Sequence, residues 1–295
     1  MKNFLINTVI FLLVLVGSLL VGWHFTQENF ILWATQVPIV TEEFEINFIE
    51  NEEEEIDFDW TDAVQLGVLD WLPYINYEVA PIGELIIPSI NLQLPVLQGP
   101  SHVNMTLGAG TLLPGMVMGQ GNFTLAAHWD PNPGVRFGGL HLVNFGDLII
   151  LRDAHYLHIY EAIIVNYVIG PYRNEIAEYV EGKVYVTLFT CTPDGEKRVM
   201  VRGELVEQIS NEDVNLLADA QANADVDVDA DIHSEDEPEI LSTLGRLDVE
   251  MIREVIEIIE YTEVPFPVYE AALVIGGSLV LAAFVVWISN KGSKR

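Results

Sequence analysis

The sequence predicts a mainly β domain held between two membrane-spanning helices, and three observations predict it. Residues 82–209 contain short runs rich in Val, Ile, Leu and Tyr, separated by Gly, Pro, Asp and Asn, the punctuation of successive strands. Two uncharged apolar runs lie near the ends, at residues 4–22 and 271–288. The net charge of -31 over 295 residues comes almost entirely from the segment between those runs. Several short strands at this spacing close into a barrel or a sandwich, and no long helical pattern interrupts them.

The first apolar run, FLINTVIFLLVLVGSLLVG, is nineteen residues long, enough to cross a hydrocarbon core of about 30 Å at helical rise. A cleaved signal peptide has a shorter apolar region with a small-x-small site soon after it. Here GWHFTQENF follows, which offers no such site, and the run reads as an uncleaved anchor. The second, AALVIGGSLVLAAFVVWI, is eighteen residues long and precedes NKGSKR, giving a second span over 268–289. Core helices of soluble proteins rarely run so far without charge. Lys2 before the first span and Lys291, Lys294 and Arg295 after the second put both termini in the cytoplasm, with the intervening domain outside the cell.

Acidic segments flank the strands. TEEFEINFIENEEEEIDFD begins a linker, and candidate lid, over 41–81, and ADVDVDADIHSEDEPE lies in a second linker over 210–246. Such stretches bury too little apolar area to offset ordering entropy and read as mobile stalks. Residues 247–263, beginning LDVEMIREVIEIIEY, have helical apolar spacing and form an amphipathic helix. The charge argues against nucleic acid as a partner, since binding it requires cationic surface. A single cysteine, Cys191, rules out a framework of internal disulfides.

Cys191 follows the apolar run KVYVTLFT and precedes the turn TPDGEK, at a strand's end. A lone cysteine is often an inert buried hydrophobe. As a nucleophile it needs a proton partner and a group to hold the oxyanion formed on the attacked carbonyl. His24 adjoins the anchor and His233 lies in an acidic linker, while His102, His141, His155 and His158 read as loop or strand-surface residues. His128 ends the strand NFTLAAH and precedes the loop WDPNPG, mirroring the placement of Cys191. For the cation, RVMVRGEL offers Arg198 and Arg202, which share one face of an extended strand. Arg198 lies nearer the turn and so nearer the strand's end.

These stretches resemble the sortases, membrane-anchored cysteine transpeptidases of Gram-positive cell surfaces. TLFTC at 187–191 resembles the family's cysteine signature, LAAHW its histidine motif, EKRVMVRGEL its arginine strand, and IPSINLQLPVLQG its opening strands. The resemblance covers about residues 82–205, in the expected order. It implies an eight-stranded sortase-type β-barrel over 82–209, flanked by the two transmembrane helices and acidic linkers. Carried over by position, Cys191 is the nucleophile and His128 its acid or base. Arg198 stabilises the oxyanion, with Arg202 as rival, and Thr190 contacts substrate or shapes the oxyanion site.

The implied reaction cleaves a Leu-Pro-x-Thr-Gly-like sorting signal between Thr and Gly through a thioacyl intermediate, then transfers the acyl group to an amine. The partners are sorting signals of surface proteins or pilins, together with an acceptor amine from a peptidoglycan precursor or a pilin lysine. The strands HYLHIYEAIIVNYVIG and KVYVTLFT and the connection PYRNEIAEYVEG are the expected groove walls. Some relatives bind calcium through carboxylates in this connection. Glu175, Glu178 and Glu181 are available, but the loop reads as solvated and no cofactor is expected. The second span resembles the pilin-polymerising class, whereas the histidine region and the short EKR turn resemble the wall-anchoring class, so the acceptor stays open. A cysteine endopeptidase using water, or a non-catalytic surface-anchored binding domain, are the alternatives; retention of Cys, His and Arg argues against the latter.

Overall fold

Glycine-, proline- and aspartate-bearing turns cut the chain into eight strands, and the strands close on one another. The computed structural model describes residues 2–34, 78–170 and 181–215, with isolated positions at 44, 45, 47, 48, 73 and 278. The second span (268–289), the amphipathic helix (247–263), residues 216–246, most of 41–81 and the connection 171–180 lie outside the described residues, apart from those positions. Two units are present, one containing residues Met1–Gln36 and Val264–Arg295, the other Val37–Glu263.

In the first unit, α1 (Lys2–Ala34) is a single helix of 33 residues. Its window Leu5–Gly22 has a mean hydropathy of 2.5, long and apolar enough to cross a bilayer. The helix continues beyond the end of that window, through the WHFTQENF stretch.

The second unit holds β1 (Gly83–Ile87), β2 (Leu92–Leu97), the short helix α2 (His102–Leu107), β3 (Ala109–Thr111), β4 (Asn122–Ala126), β5 (Leu148–Arg152), β6 (Tyr156–Ile169), β7 (Tyr185–Cys191) and β8 (Arg198–Ser210). The strands form a closed barrel in the order β1-β2-β3-β4-β7-β8-β6-β5, the eight-stranded barrel expected from the sequence. Closure removes exposed sheet edges. β8 runs to Ser210, one residue past the expected boundary, and residues 211–215 are helical.

Alternation along β4, β7 and β8 sorts side chains into two clusters. Leu125, Val186, Leu188 and Val201 enter the main core with Leu85, Phe123, Ile149 and Tyr160. Their neighbours Ala126, Phe189 and Met200 point the other way, into a second apolar cluster with Met105, Leu112 and Ile169. A strand covered on both faces reads as a continuous apolar run, which is why all seven residues of β7 are buried. Gly203 permits β8 to approach its neighbours, since a Cβ there would lie 2.9 Å from Tyr160 Cβ and 3.2 Å from Val186 Cγ1. Glu84 is fully buried but paired with Arg152 at 2.6 Å, its partner across the β1–β5 ladder, and it accepts a hydrogen bond from Gln93.

The acidic segment before the barrel differs from the expected free stalk at one point. Phe44 is 1% exposed, Phe48 packs on the main core, and Asn47 Nδ2 donates to Pro81 O at 2.7 Å. An aromatic ring buries enough area for these two residues to dock while Glu45 between them stays exposed.

Candidate active site

Register builds the site. β4 and β7 are parallel, pairing Asn122 with Tyr185 through to Ala126 with Phe189. The next rung keeps the same offset of 63 residues, because Thr190 Oγ1 donates to Ala127 O at 2.9 Å. Past the end of the ladder the next residues at that offset are His128 and Cys191, and both border one pocket. Ala126 and Phe189 both face the second apolar cluster, so two residues further on His128 and Cys191 face the same side. On the other flank β7 and β8 are antiparallel, and Cys191 pairs directly with Arg198. His128 just past the end of β4, Cys191 at the end of β7 and Arg198 at the start of β8 are therefore brought together in one row at the ends of three adjacent strands. They line a common pocket floored by Met105, Leu112, Ala126 and Phe189.

The turn from β7 to β8 fixes the arginine. Thr192 N donates to Lys197 O at 2.9 Å, Gly195 N donates to Thr192 O at 2.8 Å, and Gly195 takes a positive φ of 76°, which favours glycine. Arg198 Nη1 donates to Gly195 O at 3.2 Å and Lys197 O at 3.0 Å, holding the guanidinium against the turn and beside Cys191.

His128 is 2% exposed. Its N–H donates to Met105 O at 3.2 Å and its carbonyl accepts from Phe137 N at 3.3 Å, so α2 and the following loop both grip its backbone. Within that loop Arg136 Nη2 pairs with Asp130 Oδ2 at 3.1 Å, and Nη1 donates to Thr106 O at 3.2 Å. Gly138 lets the loop fold tightly, since a Cβ there would meet the carbonyls of Asn132 and Asp130 at 2.4 Å. Burial, then the neighbouring charges of His102 and Arg136, lower the His128 pKa to about 3. Burial pushes the Cys191 thiol up, against an opposing pull from Arg198. At neutral pH the pair thus rests as thiol and neutral imidazole.

Of the predicted residues, His128, Cys191 and Arg198 come together. Thr190 also borders the pocket, but its hydroxyl is engaged by Ala127 O, so it supports the row from behind rather than reaching outward. Arg202 does not join them. It pairs with Thr187 on β7, four residues from Cys191 and about 13 Å away at strand rise. Its Nε donates to Thr187 Oγ1 at 3.0 Å, and its guanidinium lies 5.3 Å from the centroid of the Tyr185 ring. Of the expected walls, β7 lines the pocket, β6 contributes Ile164 and Ile169 to the apolar cluster beneath it, and residues 171–180 are outside the described part.

Sequence reasoning missed two residues that act on His128, His102 and Arg136, and Asp130, which pairs with Arg136. Asp130 and Arg136 lie in a stretch that reads only as a turn, and His102 reads as a surface residue. The one local signal that could have found the helix carrying His102 is Ser101, a residue type suited to an N-cap, whose Oγ accepts from Asn104 N at 3.1 Å. As for calcium, Glu175 and Glu178 fall outside the described residues, and Glu181 is exposed. Among the described residues, no group of three or more His, Cys, Asp or Glu is placed to hold a metal.

Comparison with known proteins adds an independent finding. A family model described as Sortase domain matches residues 85–206. Sortase A of Bacillus anthracis is 32% identical over 207 residues, spanning 70% of this chain and 96% of the relative. Sortase A of Listeria monocytogenes is 26% identical over 213 residues, spanning 70% and 95%. A solved structure of sortase A from Listeria monocytogenes shares 30% identity, covers 44% of this chain and 90% of that one, and has a TM-score of 0.42.

Proposed function

The chain belongs to the sortase family, and from that premise we propose that Cys191, His128 and Arg198 carry out its transpeptidation at the Thr–Gly bond of a Leu-Pro-x-Thr-Gly-like sorting signal. The observation that carries this reading is the row of the three residues at the ends of β4, β7 and β8. A nucleophile, a proton partner and a fixed cation are the parts that acyl transfer needs.

Cys191 Sγ attacks the threonine carbonyl carbon. Because the thiol is protonated at rest, its proton must leave as the bond forms, and the neutral imidazole of His128 accepts it. Arg198 stays charged throughout and holds the oxygen on which negative charge develops. When the tetrahedral species collapses, the C–N bond breaks and His128 returns the proton to the leaving glycine amine. A thioester remains on Cys191. An incoming amine then attacks it, loses its proton to His128, and expels Cys191, which regains a proton as the new amide bond forms. The apolar floor beneath the row suits the Leu and Pro side chains of the signal. Thr190 contributes by pinning β4 to β7, which keeps the oxyanion site in shape.

The acceptor amine is tested together with the motif. The full chain is incubated with a fluorogenic Leu-Pro-x-Thr-Gly peptide library, with and without glycine-terminated or lysine-containing acceptors, and products are identified by mass spectrometry. Preference for the glycine acceptor supports wall attachment, and preference for the lysine acceptor supports pilin joining. Cleavage with water alone as acceptor, whatever amine is supplied, contradicts the transfer step and points to an endopeptidase. Uptake of peptides lacking the Thr–Gly bond contradicts the motif.

A further inference from the structure

We propose that His102 is a positioning residue for His128, an exposed imidazole that orients the buried one through a shared proton and links it to bulk water. The inference rests on the reading of His128 as the proton partner of Cys191. His102 is the first residue of α2, and the helix is tied down on several sides. Ser101 caps it, Thr106 Oγ1 donates to His102 O at 2.7 Å, and Asn104 Nδ2 donates to Gln98 O at 2.9 Å and Gly99 O at 3.1 Å. A surface histidine on a free loop would sample many positions. This one is held with its Nδ1 3.2 Å from His128 Nε2, ring centroids 4.9 Å apart and planes at 63°.

One proton occupies the gap between two imidazole nitrogens at that distance, because each ring nitrogen is either donor or acceptor. Whichever ring carries it, the contact fixes the orientation of the His128 ring, the role that a hydrogen-bonded partner plays for a general base. Solvent access is unequal. His128 is 2% exposed, whereas His102 is an exposed residue. A proton leaving His128 Nε2 for His102 Nδ1 is balanced by one lost from His102 Nε2 to water, and the reverse sequence brings one in. Other ionisable or charged groups face His128 from each neighbouring element: Arg136, itself paired with Asp130, from the loop after β4, Cys191 from β7 and Arg198 from β8. Asp130 and Arg136 are joined to each other, and Cys191 and Arg198 serve the reaction itself. His102 is the member of this group that is exposed at the surface and bonded to the His128 ring.

The test compares the wild-type full chain with His102→Ala, His102→Gln and His128→Ala, measuring kcat and KM for a sorting-signal peptide from acid to alkaline pH. Loss of the imidazole should lower kcat about tenfold with KM little changed, the scale for removing a group that orients a functional histidine. It should also move the acid limb of kcat/KM to higher pH, because His128 loses a neighbouring positive charge and gains water. The Gln amide can still engage Nε2 but does not titrate, so it should restore most of kcat and keep the shifted limb. A titration of the His128 ring by NMR in wild type and His102→Ala reads the same coupling without substrate, and should give a raised pKa in the variant. Unchanged kcat, unchanged pH limb and an unmoved His128 titration in His102→Ala would overturn the proposal. An active His128→Ala would instead overturn the role of His128 itself. An inactive His128→Ala beside a wild-type-like His102→Ala removes only the inference about His102.

Discussion

Arg198 and Arg202 lie on one strand four residues apart, and the structure separates their work by what each faces. Arg198 sits opposite Cys191, and Arg202 sits opposite Thr187, to which it donates a hydrogen bond. Arg198→Ala is therefore expected to reduce kcat/KM by about 10²–10³, the cost of losing an oxyanion donor, with little change in thermal midpoint. Arg202→Ala should do the opposite, lowering stability by about 1–3 kcal/mol through a lost buried hydrogen bond and ring contact while activity per folded molecule stays within a few-fold. Kinetics and melting curves on both variants check the assignment. His128 makes a pH prediction. Its folded pKa of about 3 lies below the unfolded value near 6.5, so the unfolded chain binds a proton that the folded chain refuses. The stability it contributes is complete above about pH 6.5 and is lost as pH falls toward 3, with a slope of up to about 1.4 kcal/mol per pH unit. Urea midpoints across this window should show a shallower slope for His128→Gln than for wild type. That the three residues we propose to react lie together was legible in the sequence, because each stands beside turn residues at a strand's end. The groups that tune His128 were not, because His102, and Arg136 with its partner Asp130, come near it only through the packing of α2 and the loop after β4.

At the scale of elements, the decisive contact is the parallel ladder of β4 and β7. Strand texture marks both segments in the sequence, but nothing local to either states that they pair, or with what register, since a parallel ladder joins residues that a crossover has separated. The offset of 63 residues runs through the ladder and is held at its end by Thr190 Oγ1 and Ala127 O. Thr190→Val keeps shape and removes the donor, leaving a buried carbonyl without it. We expect a stability loss of about 1–3 kcal/mol, measured by chemical denaturation. A fall in kcat larger than any change in KM should accompany it, because the row of His128, Cys191 and Arg198 loosens at its first joint. Equal kcat in Thr190→Val and wild type would mean that the rung is held by the backbone alone.

At the scale of the whole molecule, the chain carries the candidate site on a closed barrel and one described helix, α1, whose window Leu5–Gly22 is long and apolar enough for a membrane. Turn-punctuated apolar runs from residue 82 onward made a barrel or a sandwich legible and the sortase resemblance singled out the barrel, whereas the docking of Phe44 and Phe48 was hidden by the acidic residues around them. The central claim is that the reaction passes through a thioester on Cys191. Intact-mass measurement of the full chain, quenched in acid during turnover of a Leu-Pro-x-Thr-Gly peptide, tests it most directly. The account predicts a species heavier by the acyl fragment ending in threonine, mapped by digestion to Cys191. That species should disappear when an amine acceptor is added and be absent from Cys191→Ala, together with all acceptor-linked product. Acceptor-linked product formed equally by Cys191→Ala, or an acyl group mapped to another residue, would contradict it.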